Sequence, residues 1–270
     1  MNTSTASTDQ AEGLRTIFGA ELSTVICIAS TLDVDSTIVL GHGLAHALKK
    51  EGNKVLLVDE FSLSERKTMA KLLYPVRYDL GQVFNNSIEL KKCIKQIEEN
   101  LWYAAGSKLK SSIESRNAYY PKLDRRLIDS SINIDYILLP TNSPLAKSIS
   151  YYGDNIKRII VTSPDEKSLK NALNIIRSIS IFQADEPLQI LMVGSEKEDE
   201  ATESFERLKE ASQKAIGEDL SLLGWIEAVN AQRVVIDPDD FSLNPPTSGP
   251  TQELVLPKSF FKLLSANILI

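Results

Sequence analysis

The sequence predicts an α/β fold in which a mostly parallel, twisted sheet carries helices on both faces. Short apolar runs recur along the chain, first at residues 25–29 and 55–58, and segments with helical spacing lie between them. Continuous apolar runs are typical of parallel strands buried on both sides, and a strand, a helix and a second strand in succession form a βαβ unit. With 270 residues, 43% of them hydrophobic, the chain can bury one sizeable core.

The composition excludes several function classes. A net charge of −6 and a pI near 5.2 argue against nucleic-acid binding through a broad basic face. The chain has 2 cysteines, Cys27 and Cys93, too few for a disulfide framework, and residues 1–7 lack the charge and the apolar run of a signal peptide. No apolar run approaches the ~20 residues of a spanning helix. We therefore expect a cytoplasmic protein without a direct nucleic-acid partner.

Four segments follow one another along the chain. Residues 1–22 begin as a Ser/Thr-rich stretch and are expected to be flexible, and residues 23–236 form the α/β domain. Residues 237–256 contain several prolines, which predict an extended linker. Residues 257–270 become apolar again and predict a short helix.

Helical and strand-like patterns alternate within the domain. Helices are expected at residues 62–73 and 88–99, from the Pro164-Asp165 turn through residue 182, and from the acidic turn 196–200 to about residue 216; strands are expected at 101–105, 136–139, 156–162, 188–193 and 220–226. The polar segment 107–120 is expected to be a surface insertion. The overlapping basic stretch 108–126 is either a partner surface or, as is more common, a solvated loop.

The turn between the first strand and the first helix, residues 30–38, is where a phosphate would bind in such a unit. Backbone N–H groups and the positive end of the helix dipole point outward there, but a phosphate loop also needs glycines and a lysine. This turn has neither, and Asp33 and Asp35 would repel a phosphate. The two carboxylates are either new metal ligands or, as we favour, solvated turn residues. The turn therefore has the position of a nucleotide site in a βαβ unit but lacks the residues that bind a phosphate.

Matches to one family's pattern extend over most of the domain. In the first helix and after the second strand they are Leu44, Ala45, Ala47, Leu48, Gly52 and Asp59, and further matches follow at residues 79–81, 135–139, 161–164 and 223–226. In this order they resemble the MinD/ParA family of deviant phosphate-loop ATPases. The resemblance covers roughly residues 23–235 and implies a P-loop NTPase fold of the SIMIBI class.

Six functional positions of that family carry different residues here. Leu32 replaces the signature lysine, Thr37 the loop lysine, Ile38 the hydroxyl that holds Mg²⁺, Phe61 the second carboxylate after strand two, Pro140 the carboxylate of the hydrolysis strand, and Gly194 the adenine-reading asparagine. Losing the phosphate cradle, the metal ligands and the base reader together leaves little to bind ATP. The resemblance therefore implies a pseudo-ATPase without catalytic residues, cofactor or metal; a residual ATPase with rearranged ligands is the open alternative.

A motif near the N-terminus indicates one group within the MinD-like proteins. Asp9-Gln10-Ala11, two free positions and Leu14-Arg15 resemble the activator motif of the FlhG (FleN) family, MinD-like regulators of flagellar number and placement. In that family the segment docks as a helix on FlhF, a signal-recognition-particle-type GTPase, and stimulates GTP hydrolysis. Gln10 can orient a water, Asp9 and Arg15 can form charge pairs, and Leu14 can anchor the helix. A frayed tail is the alternative.

The C-terminal segment matches the position of the membrane-targeting helix in MinD-like proteins. One helical face would carry Phe260, Phe261, Leu264 and Ile268, and another Lys258 and Lys262. An apolar face beside lysines is typical of a helix lying in an anionic membrane interface. Peripheral attachment to the inner face of the cell membrane and packing back onto the domain are both open.

His42 and His46 stand four apart in the first helix, a spacing that can bind a metal ion. Because no third ligand is close in sequence, we expect a structural or surface role.

The leading function is a non-catalytic regulator of flagellar biosynthesis that stimulates an FlhF-like GTPase. A nucleotide-independent scaffold, or an antagonist of a flagellar transcription regulator, is the alternative.

Overall fold

The computed structural model describes residues 22–66, 74–114, 121–181, 187–195 and 197–226. The strands are β1 (Thr24–Ser30), β2 (Val55–Asp59), β3 (Lys95–Glu98), β4 (Leu101–Ala105), β5 (Tyr136–Thr141), β6 (Ile156–Thr162), β7 (Leu188–Val193) and β8 (Leu220–Ile226). The helices are α1 (Val34–Lys50), α2 (Leu80–Phe84), α3 (Leu90–Cys93), α4 (Leu109–Glu114), α5 (Leu123–Asp129), α6 (Glu166–Ser180) and α7 (Glu198–Ala215). Short 3₁₀ turns occur at Leu63–Glu65 and Lys147–Tyr151.

Across the described residues, the strands form one 8-stranded sheet in the order β3-β4-β2-β5-β1-β6-β7-β8. β3 runs antiparallel to β4, and the other neighbouring pairs are parallel. β1 lies between β5 and β6, so that Val25 is opposite both Ile137 and Ile156. The predicted mostly parallel sheet is confirmed.

Alternate residues of the central strands point to opposite faces of the sheet. Ile26 and Ile28 share one buried cluster with Leu44 and Leu48 of α1. Cys27 belongs to a second cluster, with residues of α2, α3, α4 and α5, and a third cluster joins β6 and β7 to α6 and α7. Helices therefore cover both faces, as the sequence predicts.

Three local predictions are wrong over the residues that the structure describes. Only Leu90–Cys93 is helical within residues 88–99, and Lys95–Glu98 forms the edge strand β3 because it pairs with β4. Within the described part of 62–73, the chain forms a single 3₁₀ turn. The described part of 107–120 contains α4 rather than a surface insertion, because Leu109 and Ile113 pack into the core.

The basic stretch 108–126 is also more ordered than a solvated loop where the structure describes it. α5 buries Leu123 and Leu127, and Lys122 forms an ion pair with Asp154. Arg126 donates from Nε to the Pro121 carbonyl at 3.1 Å. Its charged groups are therefore partly committed to intramolecular contacts.

None of the helices in the described ranges is long and apolar enough to cross a membrane. The N-terminal motif, the linker at 237–256 and the helix expected at 257–270 lie outside the described residues.

Candidate functional site

The carboxyl end of β1 is the candidate site, because strand order reverses there. The chain passes from β1 through α1 to β2 on one side of β1, whereas β6 follows β5 to the other side. Ligands of open α/β sheets bind outside the carboxyl ends of strands at such a switch point. The turn at residues 30–33 occupies this position.

Backbone N–H groups of this turn are bonded to the chain itself. The N–H of Thr31 donates to the carbonyl of Val161 on β6 at 2.9 Å. The N–H of Leu32 donates to Oγ of Ser30 at 3.1 Å. In a phosphate loop such groups point at the ligand. Here they hold the turn against β6 and against its own strand.

The carboxylate of Asp33 caps α1 at the place where a phosphate would sit. Its Oδ1 accepts from the N–H of Ser36 at 3.1 Å, and its Oδ2 accepts from the Ser36 hydroxyl at 2.7 Å. The N–H of Thr37 donates to the Asp33 carbonyl at 2.9 Å. A carboxylate at a helix N-terminus interacts favourably with the dipole. The chain's own carboxylate thus occupies this helix end and takes the N–H of Ser36.

The prediction of solvated turn carboxylates is right for one residue and wrong for the other. Asp33 is exposed, as expected for an N-cap. Asp35 is only 2% exposed, because the first turn of α1 carries it into the interior. Within the described ranges, no group of three or more His, Cys, Asp or Glu side chains is placed to hold a metal ion, so the metal-ligand alternative gains no support.

Replacing Asp33 with alanine should lower the free energy of unfolding by about 1 kcal/mol, since α1 loses its cap. Chemical denaturation measures this change. Asp165→Ala is the matched control, because Asp165 caps α6 in the same way, accepting from the Ser168 N–H at 3.0 Å. Hydrogen bonds from Ser163 and Ser168 lower the pKa of Asp165 to about 2. Its depressed pKa means that this cap's contribution is present above the ordinary pKa near 3.8 and is lost as pH falls through about 2.

A loss in Asp165→Ala without a loss in Asp33→Ala would show that Asp33 does not serve as a cap.

At four of the six substituted positions, the side chains pack or form hydrogen bonds around α1. Ile38 and Phe61 are 2% and 3% exposed and belong to the same core cluster, against which Leu32 packs. Thr37 is buried and its Oγ1 donates to the Asp33 carbonyl at 2.8 Å. These side chains bond or pack inward, none of them carries an ammonium group, and Thr37 is the one that carries a hydroxyl.

Pro140 lies in β5, opposite Ile28 of β1. A Cβ built on Gly41 of α1 would be 2.3 Å from its Cγ, so the ring lies directly against the helix. The pairing of β5 with β2 ends at Leu138, before the residue that lacks an N–H. The end of the strand therefore offers an apolar ring where the resemblance implies a carboxylate.

Gly194 follows β7, two strands away from β1 in the sheet order. Its φ is +98°, a conformation that favours glycine, and its N–H donates to the Ile226 carbonyl at 2.9 Å. Gly194 closes the end of the β7–β8 pair and has no side-chain amide to contact a base.

No protein-family model matches the chain, and the search of curated proteins found no match. Solved structures do match. The ATP complex of a McdA variant from Cyanothece has a TM-score of 0.52 at 15% identity, covering 77% of this chain and 84% of that one. MinD of Aquifex aeolicus has a TM-score of 0.50 at 19% identity, covering 76% and 82%. A ParA family ATPase from Chlorobium tepidum has a TM-score of 0.50 at 18% identity, covering 76% and 84%.

The chain has the MinD/ParA fold. At these identities the similarity concerns the fold alone, and the fold part of the family resemblance is confirmed.

In this MinD/ParA fold, Asp59 at the end of β2 is neutralised by a buried ion pair. Its Oδ2 accepts from Nη2 of Arg66 at 2.5 Å and from the Tyr103 hydroxyl at 2.8 Å. Arg66 also donates to the Phe61 carbonyl at 3.2 Å. Both charged side chains are almost completely buried. Asp59, the carboxylate that matches the family pattern, therefore stabilises the end of β2 and does not face a ligand.

Glu60, next in the chain, is a second carboxylate that the sequence did not single out. Its Oε1 accepts from the hydroxyl of Tyr152, which is fully buried, at 2.8 Å. Burial raises the pKa of Glu60, against the opposing effect of hydrogen bonds from Tyr152 and Thr141. This carboxyl adds negative charge to the same edge of the sheet when it is ionised.

His42 and His46 are half-buried, and Nε2 of His46 lies 3.0 Å from Nε2 of His42. The Tyr74 hydroxyl lies 2.6 Å from the same atom of His42. Burial, with the neighbouring His46, lowers the pKa of His42 to about 3. Tyr74 and the nearby Glu98 are close in space although distant in sequence, so sequence reasoning missed them.

The residues of the activator motif, Asp9, Gln10, Ala11, Leu14 and Arg15, and the apolar face of the expected C-terminal helix lie outside the described residues. Their roles stay predictions.

Proposed function

We propose that this protein is a regulatory pseudo-ATPase: a MinD/ParA fold that works through protein contacts without binding or hydrolysing ATP. The observation that carries the proposal is the self-capped turn. Asp33 accepts from Ser36 at the N-terminus of α1, and the N–H groups of Thr31 and Leu32 are bonded to the chain. A triphosphate would have to displace these bonds and approach a carboxylate.

Charge supports the same conclusion. Residues 30–38 contain two carboxylates and no lysine or arginine. A catalytic phosphate site works by placing cations and N–H donors where negative charge develops. Here Ile38 and Pro140 supply apolar groups at the positions where the family resemblance implies metal ligands. Rearranged ligands for a residual ATPase would have to come from residues other than these.

The specific regulatory role that we propose is stimulation of an FlhF-like, signal-recognition-particle-type GTPase in flagellar biosynthesis. The support is the resemblance of residues 9–15 to the FlhG activator motif. Gln10 can orient the attacking water by donating and accepting hydrogen bonds. A glutamine supplied in trans needs no nucleotide on its own chain, so this activity is compatible with the self-capped turn. Contact with an anionic membrane through residues 257–270 is a further proposal.

Stimulation of GTP hydrolysis tests this role. Phosphate release by a purified FlhF-like GTPase is measured with and without the full-length protein. We expect Gln10→Ala to reduce the stimulation at least about tenfold, because a positioned catalytic group is lost. Glu12→Ala is the matched control, since position 12 is free in the motif.

Absence of stimulation by the unaltered protein, or equal stimulation by Gln10→Ala, would contradict the role. Deleting residues 1–20 gives a separate readout: regulation that survives this deletion would assign the function to the folded domain, as a scaffold or an antagonist of a transcription regulator requires.

A further inference from the structure

The histidine pair on α1 forms a cluster with side chains from two other parts of the chain. His42 and His46 are the only histidines, 2 in 270 residues, and their spacing places them one turn apart on one helix face. Tyr74 precedes α2, and Glu98 ends β3. The rings of Tyr74 and Tyr103 contact edge-on, with centroids 5.3 Å apart, and Tyr103 is fully buried. The cluster therefore rests on a packed framework.

Three atoms that can act as metal ligands lie close together in this cluster. Nε2 of His42 lies 3.0 Å from Nε2 of His46 and 2.6 Å from Oη of Tyr74. A ring nitrogen of a neutral imidazole has either one hydrogen or one lone pair in the ring plane. His42 Nε2 can therefore form one well-directed hydrogen bond, although two polar atoms lie within bonding distance of it. A cation between the three atoms would engage all of them at once.

The charged groups near the pair include one carboxylate and two lysines, so the arrangement of the three atoms, and not the surrounding charge, is what favours a cation here. The carboxylate of Glu98 acts on both imidazoles and is paired with Lys49. Lys49 and Lys50 are the neighbouring cations that act on His46. A neutral imidazole is the metal-binding form, and the half-buried position of both rings limits their contact with water.

We propose that His42 and His46, with Tyr74 as a third donor, bind one divalent transition-metal ion of the zinc, cobalt or nickel class. Imidazole nitrogens suit these ions, with metal–nitrogen distances of ~2.0–2.1 Å. Two nitrogens 3.0 Å apart can both reach one ion at that distance with an angle of about 90° between them. Tetrahedral geometry needs a separation of ~3.4 Å, a movement of a few tenths of an ångström for the two nitrogens. Oη of Tyr74, 2.6 Å from Nε2 of His42, would have to move away by about 0.7 Å. Water would fill the remaining positions.

Such an ion would tie α1 to the segment before α2. Binding only to the folded state raises the unfolding temperature in proportion to the logarithm of ion concentration above the dissociation constant. The site does not depend on the proposed regulatory function, and its test does not use GTPase activity.

The test is titration of the full-length, chelator-treated protein with ZnCl2 by calorimetry and with CoCl2 by visible absorption. We expect one ion per chain, and a loss of affinity of at least about tenfold in His46→Gln and in Tyr74→Phe. Because the chain has only two histidines, the ring ¹⁵N signals of both should shift on zinc binding. Circular dichroism of each variant without metal checks that it is folded.

Cys93→Ala is the control. Burial raises the pKa of the Cys93 thiol to about 11, so we expect it to bind no metal and the affinity to stay unchanged. Absence of zinc binding, or equal affinity in folded His46→Gln, would overturn the proposal. Equal affinity in Tyr74→Phe would overturn the assignment of the third donor.

Discussion

Replacing Arg66 with methionine is expected to lower the free energy of unfolding by about 3–5 kcal/mol, because a buried carboxylate loses its charge partner. Asp59 is 2% exposed, and the Arg66 side chain that lies 2.5 Å from it is fully buried. The Tyr103 hydroxyl and the Phe61 N–H would remain as neutral donors to the carboxylate. Denaturant unfolding at neutral pH measures the loss.

Two comparisons make this prediction specific. Asp59→Asn combined with Arg66→Met removes both charges and should recover part of the loss, since no unpaired charge stays buried. Lys122→Met breaks the ion pair with Asp154, whose side chain is 62% exposed, and should cost no more than about 1 kcal/mol. A cost of Arg66→Met as small as that of Lys122→Met would contradict the buried ion pair.

Gly41→Ala is expected to destabilise the protein by about 1–3 kcal/mol, although alanine is the better helix former at an interior position. The added methyl group would lie 2.3 Å from Cγ of Pro140 and 3.6 Å from Cδ1 of Leu57. The ring belongs to a strand paired with β1 and cannot move away easily. The measurement is again the free energy of unfolding.

Truncating the ring should relieve this clash. In a double-mutant cycle, Gly41→Ala should cost less in the Pro140→Ala background than in the unaltered protein, with a coupling of about 0.5–3 kcal/mol. Strictly additive effects would show that Gly41 and Pro140 are not in contact. The same cycle tests whether Pro140 occupies the space next to α1 that the structure gives it.

The strands were the most predictable part of the fold. The bounds expected at 101–105, 156–162, 188–193 and 220–226 agree with β4, β6, β7 and β8. These strands are apolar runs with turns on either side, so local sequence specifies them. β3 was missed because Lys95–Glu98 is a polar edge strand with exposed residues, and only its pairing with β4 makes it extended.

The sequence predicts which ligand-binding residues the candidate site lacks, but it does not predict the contacts that the remaining residues make. Missing glycines and lysine are visible in residues 30–38 alone. The pairing of Asp59 with Arg66 and Tyr103 depends on the neighbouring strand β4 and on a chain segment that was expected to be helical. The burial of Asp35 is set by the orientation of α1, which no local pattern reveals. Tertiary contacts of this kind decide what a carboxylate does.

Binding of Mg-ATP to the full-length protein tests the central claim most directly. Calorimetric titration should be run with MgCl2 alone as well, so that magnesium binding cannot be mistaken for nucleotide binding, and on an ATP-binding MinD/ParA-type protein as a positive control. Because Asp33 caps α1 and Thr31 and Leu32 are bonded within the chain, we predict no saturable binding up to about 1 mM nucleotide. Saturable binding with a dissociation constant on the order of micromolar would contradict it and would assign this turn to an ATP site after all.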